Sequence, residues 1–216
     1  MLLALFDLDD TLIDHRAAFR VWAEEFAAEH SLGSEGVSWL LTVKADYSGP
    51  KDRLFFSVRD EFNLAESADQ LWRQYRRRIP ELATCRSEDL EALEQLRGAG
   101  WRIGIVTNGM ADNQLAKINR TGLAKLVNAW CVSDEVGIRK PDPRIFHLAA
   151  QRCGGPVDHT SWMIGDSLTL DIAGGRAAGL RTVWINPSQC DVLSDQHGPD
   201  FAVASVAEAV QRLIDG

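Results

Sequence analysis

Hydrophobic positions along the chain follow two different rhythms. Leu2 to Phe6 is an unbroken apolar run, the length of one buried parallel strand. From His15 to about Pro80 the apolar positions recur at helical spacing instead. Phe19, Trp22, Ala23 and Phe26 fall at i, i+3, i+4 and i+7, which predicts an amphipathic helix ending near His30 and Ser31. Val37 to Ala45 predicts a second, short helix, and Tyr47-Ser48-Gly49-Pro50 a turn. Leu54, Phe55, Val58 and Phe62 mark a third helix closed by Asn63. Leu71, Trp72, Tyr75 and Ile79 mark a fourth, capped by Ser67 and stopped by Pro80. Four helices with no strand between them read as a bundle of their own.

From Ser87 onward helix and strand alternate. Ser87 is the expected cap of a helix with Glu88 and Asp89 in its first turn and Leu90, Leu93 and Leu96 as its stripe. Strands are expected at Trp101 to Val106, Val127 to Val132, Ser161 to Ile164, Arg181 to Ile185 and Phe201 to Ala204. Helices are expected at Asp112 to Arg120, Pro141 to Cys153, Leu170 to Ala178 and Val206 to Ile214. Such βα alternation implies an α/β fold: a doubly wound, mainly parallel, Rossmann-like sheet with helices on both faces. The first strand belongs to that sheet. The domains are then 1–14 with 81–216 as the core and 15–80 as an inserted four-helix cap.

Composition narrows the function. The chain has 216 residues, 45% hydrophobic and 25% charged, with a net charge of −8. That balance argues against a general nucleic-acid binder, which needs a basic surface. The helical stretch 15–80 carries ten basic and ten acidic side chains, so the excess acid lies in the rest. Arg76-Arg77-Arg78 reads as a solvated helix face. Cys85, Cys131, Cys153 and Cys190 form no C-x-x-C, which fits a reduced, cytoplasmic setting. No apolar run reaches membrane-spanning length.

Four polar clusters follow four strands: Asp7/Asp9, Thr107/Asn108, the loop with Lys140, and Asp166/Asp171. A parallel sheet gathers its strand C-termini on one edge, so the clusters converge. Asp7, Asp9 and Asp166 offer hard oxygen ligands that suit Mg²⁺. If the first strand stays extended through Asp9, both carboxylates point one way; if the chain coils, Asp9 is redirected. Thr107 and Asn108 offer donors to phosphate oxygens. Lys140 offsets the acids, and Asp171 can orient a metal-bound water or Lys140. Each cluster also has a plain reading: an acidic turn for Asp7-Leu8-Asp9, a common turn for Thr107-Asn108-Gly109, a helix start for Lys140-Pro141, a first-turn acid for Asp171. Asp10 reads as a turn residue and Asp14 as a cap. The five histidines show no metal spacing, and the tryptophans read as packing.

Together the clusters resemble the motifs of haloacid dehalogenase superfamily hydrolases with a helical cap. They are Phe6-Asp7-Leu8-Asp9-Asp10-Thr11-Leu12, Val106-Thr107-Asn108-Gly109, Arg139-Lys140-Pro141-Asp142-Pro143, and Ile164-Gly165-Asp166 through Asp171, in the family's order. The resemblance implies a phosphoaspartate route. Asp7 is the nucleophile, Asp9 the general acid and base, and Thr107 and Asn108 bind phosphate. Lys140 stabilises charge. Mg²⁺ is held by Asp7, the main-chain carbonyl of Asp9, and Asp166, with Asp171 supporting. The superfamily's dehalogenases lack the second Asp, so Asp9 favours phosphate esters. The cap, hinged at Ile13 to Arg16 and Glu81 to Arg86, would close over the site and set specificity, with Tyr47, Lys51 and Arg53 as candidate contacts. A small phosphorylated metabolite is the expected substrate, a sugar phosphate, phosphoglycolate or nucleoside monophosphate among them. The chain is expected to act as a monomer or homodimer with no nucleic-acid or membrane partner. A phosphomutase, a non-catalytic binder of a phosphorylated ligand or protein, and a 2-haloacid dehalogenase are the alternatives.

Overall fold

The computed structural model describes residues 1–46, 51–186 and 198–216. The chain divides into two compact units, Met1–Asp14 with Cys85–Gly216, and His15–Thr84. The second unit is built from α1 (His15–Glu29), α2 (Gly33–Asp46), α3 (Lys51–Glu61) and α4 (Ala68–Leu82). Its core is aromatic. Phe19, Trp22, Phe26, Phe55 and Tyr75 are buried with Leu40, Leu54, Val58, Leu71 and Ile79. Trp22 and Tyr75 meet edge to face, centroids 4.9 Å apart at 89°. That is the geometry in which one ring's positive edge faces another's negative face. Ser67 caps α4 reciprocally with Gln70, each side chain bonding the other's main-chain N–H. Pro80 does not stop this helix. It sits in the last turn, which runs on to Leu82 before Ala83 leaves helical geometry. One missing N–H so near the end forfeits only one bond. The Tyr47–Pro50 turn lies outside the described residues.

The first unit carries a six-stranded sheet. Its strands are β1 (Leu3–Phe6), β2 (Arg102–Thr107), β3 (Ala129–Val132), β4 (Ser161–Gly165), β5 (Arg181–Ile185) and β6 (Phe201–Val203). Their order is β3-β2-β1-β4-β5-β6, and every neighbouring pair is parallel. β1 is therefore central, with Leu5 opposite Gly104 on one side and Met163 on the other. Around the sheet run α5 (Ser87–Gly98), α6 (Ala111–Arg120), α7 (Ser133–Val136), α8 (Pro143–Arg152), α9 (Ala173–Ala177) and α10 (Val206–Asp215). Leu3 and Leu5 join Ile145, Phe146 and Ala149 of α8 in one buried cluster, while the alternate residues Ala4 and Phe6 are equally buried. A strand covered on both faces has no use for polar alternation, which is why its sequence is wholly apolar. Gly104 lets α8 approach: a Cβ there would lie 2.7 Å from Cys153 Sγ and from Leu5 Cδ2.

Two local readings are corrected. Ser87 is the first residue of α5, not its cap; Arg86 holds the cap position without a side-chain hydrogen bond. Asp89 lies in the first turn of α5 with Glu88, as expected, and is also buried, accepting from the main-chain N–H of Ala207. The helix expected from Leu170 begins earlier, as a single π turn over Leu168–Ile172 that leads into α9. Cys85, Cys131 and Cys153 are free thiols, and Cys190 lies outside the described residues. Among the described residues no helix is long and apolar enough to cross a membrane.

Candidate active site

The chain coils as soon as β1 ends. The N–H of Asp7 still bonds the carbonyl of Ile164 at 2.9 Å. The carbonyl of Leu8 then accepts from Leu12 and Ile13, at 3.1 and 2.9 Å. Asp10 takes φ 63°, and its N–H reaches the Ile13 carbonyl at 2.7 Å. Asp tolerates this left-handed conformation better than most residues. The coil sends Asp7 and Asp9 to different partners.

Asp7 meets Lys140, whose Nζ donates to Asp7 Oδ1 and, at 2.6 Å, to Asp171 Oδ1. Thr11 donates to the other Asp7 oxygen at 3.3 Å. Asp171 Oδ2 accepts from the N–H of Ser167 at 3.0 Å, so both its oxygens are engaged. Asp7, Lys140 and Asp171 are all buried. Carboxylate oxygens of Asp7, Asp166 and Asp171 lie within 4.8 Å of one another. Burial pushes Asp7 up, against the pull of Lys140 and with the help of Asp171 and Asp166, from 3.8 to about 8. Burial pulls Lys140 down, but Asp171 and Asp7 outweigh it and hold its ammonium above the ordinary lysine range. Two acids thus share one ammonium with a third beside them, and a cation would relieve the surplus negative charge. All the offered donors are carboxylate oxygens, the set a hard divalent ion prefers. The residues present therefore fit Mg²⁺.

Two close approaches hold this cluster together. Gly165, the last residue of β4, admits Asp171: a Cβ there would fall 2.5 Å from Asp171 Cγ and 2.6 Å from its Cβ. Trp184 on β5 donates its indole N–H to the carbonyl of Asp166 at 2.8 Å.

Asp9 lies instead against α6. Lys117 Nζ is 2.7 and 3.0 Å from its two oxygens. Gln114 Nε2 donates to Asp9 Oδ2 at 3.3 Å and to Thr107 Oγ1 at 2.6 Å. Asn108, expected to bind phosphate, has its carboxamide on the Lys140 main chain, accepting from the N–H at 2.9 Å and donating to the carbonyl at 3.0 Å. The loops after β2 and before α8 are tied by that pair.

A model of haloacid dehalogenase-like hydrolases matches residues 1–179. The chain belongs to this family. It is 32% identical over 206 residues to a phosphoserine phosphatase of Thermus thermophilus, covering 90% of this chain and 80% of that one. It is 35% identical over 135 residues to the pyrimidine 5'-nucleotidase YjjG of Escherichia coli, an alignment that spans 62% of this chain and 59% of the relative. The crystal structure of a HAD phosphatase from Thermococcus onnurineus superposes with a TM-score of 0.71 at 25% identity, covering 99% of this chain and 98% of that one.

In this haloacid dehalogenase-like hydrolase the expected core residues gather at one edge of the sheet, after β1, β2 and β4 and, for Lys140, in the connection from β3 to α8. Asp7, Lys140 and Asp171 form one bonded group with Asp166 beside it, and Asp9 and Thr107 a second, joined through Gln114. Of the proposed substrate contacts, Arg53 is exposed on α3, Tyr47 lies outside the described residues, and Lys51 is the first residue of α3. Sequence reasoning missed Gln114, Lys117 and Trp184. A signal existed for the first two. Positions 114, 117, 118 and 121 share one face of a helix, yet only Ile118 is apolar, while Gln114 and Lys117 are each 1% exposed. A polar stripe on the inner face of an α/β helix has to meet polar groups on the sheet's edge. Trp184 offered no such signal, since an indole in a buried strand reads as packing.

Proposed function

We propose that the chain is a Mg²⁺-dependent phosphatase that hydrolyses a small phosphomonoester through an aspartyl-phosphate. Asp9 carries the reading: carbon–halogen cleavage needs no proton at the leaving group, whereas an alkoxide leaving from phosphorus does. The two acids have separate surroundings, so they suit separate tasks.

In the proposed reaction Asp7 attacks phosphorus in line as the bond to the leaving oxygen breaks. Asp9 gives that oxygen a proton. Asp9 then takes a proton from water, the water oxygen attacks phosphorus, and the bond to Asp7 breaks to release phosphate. Thr107 accepts from Gln114 and so keeps its own hydroxyl proton for a phosphoryl oxygen. The main-chain N–H of Asn108 is a second donor there. Lys140 keeps Asp7 oriented and offsets its charge, with Asp171 fixing Lys140. Mg²⁺ held by Asp7, Asp166 and the main-chain carbonyl of Asp9 would supply a charge clamp for the phosphoryl oxygens.

The test is phosphate release by the purified protein, with and without EDTA, from pyrimidine 5'-monophosphates, phosphoserine, triose phosphates and sugar phosphates. The relatives' names motivate the first two. Metal-dependent release that disappears in Asp7→Asn supports the reading. No metal-dependent release from any phosphomonoester, with Asp7→Asn indistinguishable from the parent, overturns it.

A further inference from the structure

We propose that Lys117 and Gln114 are positioning residues that lock the proton-transfer carboxylate of Asp9 to the phosphate-binding hydroxyl of Thr107. The inference rests on the phosphatase reading and adds two residues that lie outside the four motifs.

The geometry supports it at each link. Asp9 sits in the turn after β1, bridged to Ile13 but outside the sheet, so its side chain is held by its own contacts. Lys117 Nζ grips both of its oxygens, at 2.7 and 3.0 Å. The same ammonium donates to Gln114 Oε1 at 2.9 Å. That bond decides which way the Gln114 amide faces, because an ammonium has no acceptor and must meet the oxygen. The amide nitrogen is thereby turned toward Thr107 Oγ1, at 2.6 Å, and Asp9 Oδ2, at 3.3 Å. Two residues one turn apart on α6 thus fix the acid, the hydroxyl and the spacing between them.

Plain structural duty explains the arrangement poorly. Lys117 is 1% exposed, and an ammonium buried that far is a poor choice for packing alone, since a similarly sized apolar side chain avoids its desolvation. What an apolar side chain cannot do is hold a carboxylate in place. Proton transfer demands that hold, because a displacement of about 1 Å at a reacting group can lower a rate about 10²-fold.

The test reads kcat/KM on two aryl phosphates, phenyl phosphate with a poor leaving group and p-nitrophenyl phosphate with a good one. This ratio reports steps through departure of the phenol, where Asp9 acts as acid. Lys117→Met is expected to lose about 100-fold on phenyl phosphate and under about 10-fold on p-nitrophenyl phosphate. Gln114→Leu is expected to show the same bias at smaller size, and it carries the test if Lys117→Met does not fold. Adding Lys117→Met to Asp9→Asn is expected to change neither value by more than about 2-fold, since residues acting as one unit are not additive. Equal losses on the two esters, or a full further loss on top of Asp9→Asn, would overturn the proposal while leaving the phosphatase reading intact. A crystal structure of Lys117→Met needs no activity, and one of Gln114→Leu, read on Asp9 and Thr107 alone, serves if Lys117→Met does not fold. Asp9 displaced from its present position, or Gln114 no longer bonded to Thr107, supports the proposal. All three side chains unmoved would overturn it, even if the parent protein hydrolyses none of the esters tried.

Discussion

The indole N–H of Trp184 donates to the main-chain carbonyl of Asp166 at 2.8 Å. A half-buried residue near the end of β5 thereby steadies the loop after β4 that carries a proposed metal ligand. Groups that orient ligands from outside typically matter about 10- to 100-fold in metal affinity or activity. Trp184→Phe keeps a ring and deletes the donor. It is expected to weaken Mg²⁺ activation about 10-fold and stability by about 1 kcal/mol, read from a Mg²⁺ titration of phosphate release and from urea unfolding.

The acid cluster sets a pH dependence whose sign follows from Asp7. Burial, with Asp171 and Asp166, raises its carboxyl from 3.8 to about 8 against the pull of Lys140. The native state thus binds more protons than the unfolded chain between those values. Its contribution to stability is present at low pH and lost as pH climbs toward 8. In EDTA, the melting temperature of the parent is expected to fall relative to Asp7→Asn from pH 5 to pH 8. Mg²⁺ competes with that proton, so its added stabilisation is expected to grow over the same interval. Melting curves of both proteins with and without Mg²⁺ check both signs.

Gly165→Ala tests the close approach of Asp171. The new methyl group would lie 2.5 Å from Asp171 Cγ. The backbone of a central strand cannot yield, so Asp171 must move and release Lys140. The expected result is a stability loss of about 1–3 kcal/mol and at least about 100-fold lower kcat, measured by denaturant unfolding and steady-state kinetics.

Asn108→Ala tests the tie between two loops. It strips the Lys140 main chain of one acceptor and one donor. Unsatisfied main-chain groups make this a loss of about 1–3 kcal/mol. Because Lys140 then wanders, kcat is expected to fall about 10-fold or more, with KM within about 3-fold. The same two measurements decide it.

Much of this was legible in the sequence. An apolar run cannot hide, and topology alone brings residues as distant as Asp7, Lys140 and Asp171 to one edge. What stayed hidden were relations between side chains. Nothing in Asp7-Leu8-Asp9 says that Asp10 will turn to φ 63° and separate the acids. Asn108 looked like a phosphate donor because its residue type suits that role, yet its carboxamide suits a main-chain pair equally well, and only the proximity of Lys140 selects. Gln114 and Lys117 were masked by an opposite prejudice, that polar residues on a helix face water. Helix ends misread at Pro80 and Ser87 reflect how little one residue weighs in a terminal turn.

The order of the strands also has a temporal side. β1 is synthesised before the other five strands of its sheet, yet it lies at the middle, with Leu3 beside Arg102 on one flank and Ser161 on the other. During translation it must wait for the whole helical unit before its first partner exists, and for β4 before its second. An apolar segment left unpaired for that long is a natural client for chaperones and a seed for aggregation if elongation stalls. The nucleophile is therefore made early and assembled late. A ribosome halted before residue 161 would carry Asp7 on a strand that still has an open edge.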